Sequence, residues 1–209
     1  MFITLEGIDG CGKTTQAEML VDWLKGRGLK VLHTREPGGT EIGRKIRAIL
    51  LDPENKKITG LTELMLYSAD RAQHLAEVIE PALKYGCAVV CDRFSDATEA
   101  YQGHARGLGL ETIEALPRIA TAGRRPDLTL LLDIPAEKAL SRAKAREEDG
   151  DGKEARFEQE SLRFHEKVRE GYLKIAAREP GRVKIIDATG KPEEVQAGII
   201  RAIENVIPA

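Results

Sequence analysis

The chain has 209 residues, enough for one large domain with a substantial core. Charged residues make up 32% but the net charge is only −2, so no bulk attraction to nucleic acid or a membrane surface is implied, and an anionic ligand must be held by particular arginines and lysines. No apolar run approaches a membrane span and Met1 leads straight into a strand-like run, which predicts no signal peptide; Cys11, Cys87 and Cys91 lack a metal-ligand spacing and predict free thiols in a reducing cytoplasm.

Phe2–Leu5 is the first predicted strand, and it runs directly into Gly7-Ile8-Asp9-Gly10-Cys11-Gly12-Lys13-Thr14. That stretch fits G-x-x-x-x-G-K-[ST] in full and is followed by a helix-period pattern, Ala17, Leu20, Val21 and Leu24. Strand, glycine loop and helix together are the context in which the motif holds phosphate. The glycines let the backbone wrap close to a phosphate with its N–H groups inward, and the following helix adds its positive end. Lys13 supplies a cation for the β and γ phosphates and Thr14 a hydroxyl for a magnesium ion. The segment from Gly7, Ile8, Asp9, Gly10, Cys11 and Gly12 to Lys13, Thr14 and Thr15 is the expected ATP cradle. The bland alternative is a glycine-rich turn with a chance lysine. Cys11, at a helix N-terminus, has a setting that lowers a thiol pKa, provided it is not shielded.

The first helix is predicted over Thr15–Lys25, ended by Gly26 and Gly28. Further strands are predicted at Lys30–His33, Cys87–Cys91, Leu128–Leu132 and Val183–Ile186, all nearly continuous in apolar residues, as in a parallel sheet covered on both faces. Between them lie helix-period stretches at Ile42–Leu50, Leu61–Lys84 and roughly Leu110–Ala122, and a last helix near Glu193–Val206 follows Pro192 at a first helical position. Alternating elements predict a doubly wound α/β fold of five parallel strands with helices on both faces and ligands at the carboxyl ends of the strands. Ser141–Glu158 stands apart: five basic and six acidic residues, two glycines, and no apolar side chain larger than alanine until Phe157. It is expected to be an exposed, mobile insertion, either a solvated charged helix end or a substrate-closing lid.

The third strand ends in Asp92-Arg93, which can order a magnesium ion and face phosphate if that strand neighbours the first. A structural ion pair is the alternative. The second ends in Arg35-Glu36-Pro37-Gly38-Gly39, a turn at the same rim, with Arg47 and Arg71 on the next two helices. An arginine fork suits phosphate or a base carbonyl.

The strings FITLEGIDGCGKTTQ, TREPGGTEIGRKIR, LMLYSADRAQH, VVCDRFSDATEAYQGHARGLG, RRPDLTLLLD and RFEQESLRFHEKVREGY together, in this order, resemble the bacterial thymidylate kinases over essentially the whole chain. The resemblance implies a P-loop kinase of one domain, residues 1–209 with a lid at about 141–158, transferring the γ-phosphoryl of ATP to dTMP as a magnesium-dependent homodimer. It implies that Asp9 binds the 3′-hydroxyl of the acceptor sugar and that Arg93 and Arg47 hold the acceptor phosphate. Asp92 matches the carboxylate near magnesium. Tyr67 lies where the family stacks a phenylalanine on thymine, and Arg71 looks like the donor to a thymine carbonyl. Thr98 and Gln102 match polar residues that meet the base, Tyr101 an aromatic that closes off the ribose 2′ position, and Glu36 belongs to the acceptor-side loop. Gly10 stands where eukaryotic-type enzymes carry a cation, whereas the bacterial type carries lid arginines; Arg142, Arg146 and Arg156 fill that description. Arg146 or Arg156 is expected to reach the phosphates and Arg142 to cover the adenine. Departures are Tyr67 itself, Phe94 in place of tyrosine, and Ala155 in place of the lid aspartate. The rival readings are a kinase for dUMP, dCMP or a deoxynucleoside, and a regulatory nucleotide switch; the switch would need an Asn/Thr-Lys-x-Asp motif that the sequence lacks.

Overall fold

The computed structural model describes residues 1–148, 156–157 and 159–204, without the side chains of residues 110 and 146–148. Five strands, β1 (Phe2–Glu6), β2 (Val31–Arg35), β3 (Ala88–Asp92), β4 (Leu128–Asp133) and β5 (Val183–Asp187), form one parallel sheet in the order β2-β3-β1-β4-β5. Each runs one or two residues beyond its apolar stretch, so that Glu6, Arg35, Asp92, Asp133 and Asp187 stand at the carboxyl rim. Alternate β1 residues enter different cores. Ile3 and Leu5 pack in a large one with Leu20, Leu24, Leu130 and Ile199, while Phe2 joins Val89, Cys91, Phe94, Leu75 and Ile79 in a smaller one. Because neighbouring strand residues face opposite sides, both faces of the sheet are covered.

Local chemistry sets the helix starts. Thr40 opens α2 (Glu41–Leu51) by accepting from Gly43 N at 2.9 Å, and Thr59 opens α3 (Gly60–His74) by accepting from Thr62 N. Ser161 does the same for Leu162–Arg178, and Pro192 begins Pro192–Glu204 as expected. The first helix, α1, spans Lys13–Gly26.

The long helix expected over Leu61–Lys84 is interrupted. α3 passes into a π-helical turn at Leu75–Ile79 before α4 (Glu80–Lys84). Pro81 has no N–H to continue the ladder, and a wider turn just before it accommodates that loss. A second interrupted helix follows β3: α5 (Ser95–Thr98) and a π-helical stretch at Glu99–Ala105. The sequence predicts no helix there, since Gly103 and its polar neighbours blur any 3.6-residue period. The remaining helices are α6 (Leu110–Ala120), α7 (Ala136–Glu148), α8 (Leu162–Arg178) and α9 (Pro192–Glu204). The π-helical stretch lies flat on α8 because Gly171 has no side chain; a Cβ there would sit 2.9 Å from His104 Cβ and 3.1 Å from Ala100 Cα. Within the charge-rich segment, residues 141–148 continue α7, residues 149–155 and 158 lie outside the described residues, and Phe157 is buried against the large core.

Candidate active site

β3 lies between β1 and β2, and the register sets Asp92 beside both Leu5 and Arg35. The phosphate loop, the turn after β2 and the Asp92-Arg93 dipeptide therefore border one cavity of about 600 Å³. Its lining runs from Asp9, Lys13, Thr14, Asp92 and Arg93 at the phosphate loop to Tyr67, Gln102 and Phe157, with Arg47, Thr98 and Tyr101 also on the wall.

Gly7, Gly10 and Gly12 all have positive φ, the backbone a tight phosphate loop needs. Lys13 folds back over its own loop, with Nζ donating to Gly7 O at 3.1 Å and Ile8 O at 3.0 Å, and lying 3.6 Å from Cys11 Sγ. Gly10 has a further constraint: a Cβ there would lie 1.9 Å from Ala139 O, so the main chain of α7 seals that side of the loop. Cys11 is 2% exposed, and burial pushes its thiol up. The activating effect of the helix terminus is overcome by desolvation, so the shielded alternative holds for Cys11. Thr14 Oγ1 donates to Asp92 Oδ2 at 3.3 Å, while Asp92 Oδ1 is buried and accepts no hydrogen bond. A hydroxyl beside an unused carboxylate oxygen is a donor set suited to a magnesium ion that keeps most of its other ligands from water and phosphate.

Arg93 is the hub. Its φ is 71°, costly for a non-glycine residue, and three bonds hold the turn: Arg93 N to Leu5 O at 3.0 Å, Phe94 N to Glu6 Oε1 at 2.7 Å, and Cys91 Sγ to Arg93 O at 3.1 Å. The guanidinium donates to Gly7 O (2.9 Å), the Tyr172 hydroxyl (3.1 Å), Asp9 Oδ1 (2.6 Å) and the Tyr101 hydroxyl (3.0 Å). Tyr101 in turn donates to Asp9 Oδ2 at 2.9 Å. Asp9, Tyr101 and Arg93, three of the residues expected at the sugar and the acceptor phosphate, thus form one triangle. Burial opposes the Asp9 charge, but Arg93 and then Lys13 outweigh it and hold the carboxyl well below the usual range. Glu6 is buried beneath this hub and also accepts from Tyr172 at 2.7 Å; burial, then the charge of Asp96, push it up to about 7.

Arg71 is not among the residues that line the cavity. It is 1% exposed and donates to Glu36 Oε2 (2.8 Å), Thr98 Oγ1 (2.8 Å) and Phe94 O (2.9 Å). It therefore braces Thr98 and Glu36 from behind the wall. Glu36 takes its second bond from His74 Nδ1 at 2.9 Å, and Asp70 accepts from Gly38 N at 3.0 Å, so α3 anchors the whole turn after β2. Arg47 reaches the same turn, donating to Pro37 O at 3.0 Å. Phe94 is fully buried, its ring 5.0 Å from that of Phe2.

The lid arginines are dispersed. Arg142 donates to Ala188 O at 3.0 Å and Thr189 O at 3.2 Å, beyond β5. The side chain of Arg146, and Ala155, lie outside the described residues. Arg156, one of the two arginines expected to reach the phosphates on closure, here donates to the Leu50 carbonyl and, at 2.7 Å, to Glu63 Oε2. Glu63, a 1% exposed carboxylate that sequence reasoning passed over, also accepts from Gln102 Nε2 at 2.7 Å and from Arg106. Phe157 follows Arg156 into place, 5.5 Å from the Tyr101 ring and 6.4 Å from that of Tyr67. Arg106 and Phe157 lie within the strings that carry the resemblance but no spacing singles them out, and Glu63 is one of several polar residues, Asp70 and Arg71 among them, on the buried side of α3.

A family model described as Thymidylate kinase matches residues 5–199. A thymidylate kinase of Desulfosudis oleivorans is 57% identical over 209 residues, covering 99% of this chain and 97% of that protein. One from Citrifermentans bemidjiense is 57% identical over 205 residues, covering 98% and 91%. Among solved structures, a crystal structure of thymidylate kinase from Ehrlichia chaffeensis superposes with a TM-score of 0.78 at 31% identity, covering 97% of this chain and 98% of that one.

Proposed function

The chain belongs to the thymidylate kinase family, and we propose that it transfers the γ-phosphoryl of ATP to dTMP, giving dTDP and ADP. The observation that carries the reading is a single cavity with a phosphate loop at one end and, at the other, aromatic rings beside hydrogen-bonding amide and hydroxyl groups, the chemistry of a flat base.

Two anions must meet, so catalysis is positioning and charge neutralisation; the acceptor phosphate is already a nucleophile and needs no general base. The loop amides and Lys13 hold the donor phosphates. Thr14 and Asp92 would hold magnesium, which when bound neutralises phosphate charge. Arg93 and Arg47 orient the acceptor phosphate, Asp9 takes a hydrogen bond from the 3′-hydroxyl, and Tyr101 occupies the space a 2′-hydroxyl would need. Tyr67 stacks on the base and Thr98 and Gln102 address its edge, with Arg71 holding Thr98 and assigned as the donor to a base carbonyl. Arg146 on α7 is the arginine assigned to the transferred phosphoryl and Arg142 the one assigned to the adenine side. Arg156 is assigned to closing the acceptor end.

We also read the chain as one kinase domain that acts in the cytoplasm as a homodimer. The three free cysteines support the compartment. Exposed Ile42 and Ile49 on α2, Leu61 and Met65 on α3, and Ile119 on α6 support the dimer, since these helices pack side by side. Among the described residues, no helix is long and apolar enough to cross a membrane.

The test is a coupled assay with ATP and magnesium across a panel of nucleoside monophosphates. dTMP should have the highest kcat/KM. A tenfold preference for dCMP or another monophosphate, or no turnover of any, would sink the assignment.

A further inference from the structure

We propose that Glu63 is a positioning residue that sets which end of the Gln102 amide reads the base, and thereby selects pyrimidines that carry a hydrogen on N3. The inference rests on the function proposed above and names a determinant of its specificity.

Both Glu63 oxygens are filled by donors. Oε1 accepts from Gln102 Nε2 at 2.7 Å and Arg106 Nε at 3.3 Å, and Oε2 from Arg106 at 3.3 Å and Arg156 at 2.7 Å. A carboxylate paired with two guanidiniums is an acceptor only. If the Gln102 amide were turned over, its oxygen would face a carboxylate oxygen at that distance, in a site where Glu63 is 1% and Gln102 2% exposed and no water can separate them. The nitrogen is therefore held at Glu63, one of its two hydrogens spent there, and the oxygen is the amide's acceptor at the cavity that Gln102 lines. An amide oxygen accepts the N3–H of thymine or uracil. Against cytosine, whose N3 is itself an acceptor, the same oxygen meets a lone pair. Sequence alone cannot say which end of a glutamine faces a ligand; here a buried neighbour decides it.

The same carboxylate grips Arg156, whose neighbour Phe157 covers the base end of the cavity. A purely structural Glu63 would, when altered, weaken every acceptor alike. A Glu63 that orients the amide changes the ratio between acceptors, and that difference is the readout.

The experiment measures dissociation constants of dTMP, dUMP and dCMP by calorimetry on the full chain, for wild type, Glu63→Gln and Gln102→Met. A glutamine at 63 can accept or donate, so the Gln102 amide is free to turn. The preference for dTMP over dCMP should fall about tenfold in Glu63→Gln, while dTMP and dUMP weaken together within about twofold of each other. Gln102→Met removes the reading group with the carboxylate intact and should lower the same preference, which keeps the test decisive should Glu63→Gln not fold. An unchanged dTMP/dCMP preference in either folded variant overturns the inference. Wild-type protein that binds no dTMP removes the proposed function and this inference together, whereas tight dTMP binding with unmoved ratios removes this inference alone.

Discussion

Lys13 keeps its ammonium over two carbonyls and a thiol of the loop that carries it, so the charge is already at the loop before any phosphate is engaged. Removing it by Lys13→Ala should lower kcat by on the order of a hundredfold or more, as for loss of a preorganised donor; near-normal turnover in a folded variant would remove the phosphate-loop role. Glu6 yields a different kind of prediction. Its carboxyl is raised from 4.5 to about 7, burial first and Asp96 second. Between those values the folded state binds more protons than the unfolded one, so this group makes the fold less stable as pH rises, by on the order of 3 kcal/mol across the window. The stability of Glu6→Gln relative to wild type should therefore increase from about pH 5 to about pH 8, read by urea unfolding at each pH. A constant difference would mean that Glu6 is charged throughout. Residues of this kind mark the limit of reading a sequence. Lys13, Thr14, Asp92 and Arg93 were legible because spacing ties each to a strand end, whereas Glu63 and Arg106 become partners only through the packing of α3 against the π-helical stretch.

At the scale of elements, apolar runs located every strand but stopped short of the rim, because the last residue of each strand is polar and does its work there rather than in the core. The helix that carries Thr98, Tyr101 and Gln102 was not legible, since a glycine and polar residues hide its period although its contacts with α8 are intimate. The charge-rich segment divides in two. Its first part is a continuation of α7, and its last described residues, Arg156 and Phe157, are docked against Glu63 and Tyr101. The three arginines should therefore separate in kinetics. Arg146→Ala should lower kcat with little change in dTMP affinity, because a contact made in the transition state is absent from the ground state. Arg156→Ala should weaken dTMP binding, since it releases the cover of the base end. Arg142→Ala should act on the KM for ATP. If all three keep wild-type kcat and KM, the segment takes no part in the reaction.

For the whole molecule, Ile42, Ile46 and Ile49 recur at helical spacing along α2, and the first and last of them are 49% and 46% exposed; Met65 on α3 is 52% exposed. Such a surface is expected to be buried between copies of the chain. Met65→Lys should shift sedimentation from dimer to monomer, and a wild-type chain that sediments as a monomer at micromolar concentration would overturn the assembly. Net charge gives no such guidance, because −2 spread over 209 residues is compatible with either state.

The contact between Gly10 and α7 has a consequence for how such a chain can change over time. A side chain of any kind at position 10 would collide with Ala139 O, which lies 1.9 Å from where its first carbon must sit. A catalytic cation rooted in the loop at that position and a helix seated this closely are mutually exclusive. Gly10→Arg here would force α7, the helix that carries Arg142, off the loop, so the gain of a cation in the loop disturbs the helix at the same step. A lineage could exchange one solution for the other only by altering loop and helix in concert, which makes the position of the cation a property inherited with the packing, not one adjusted residue by residue.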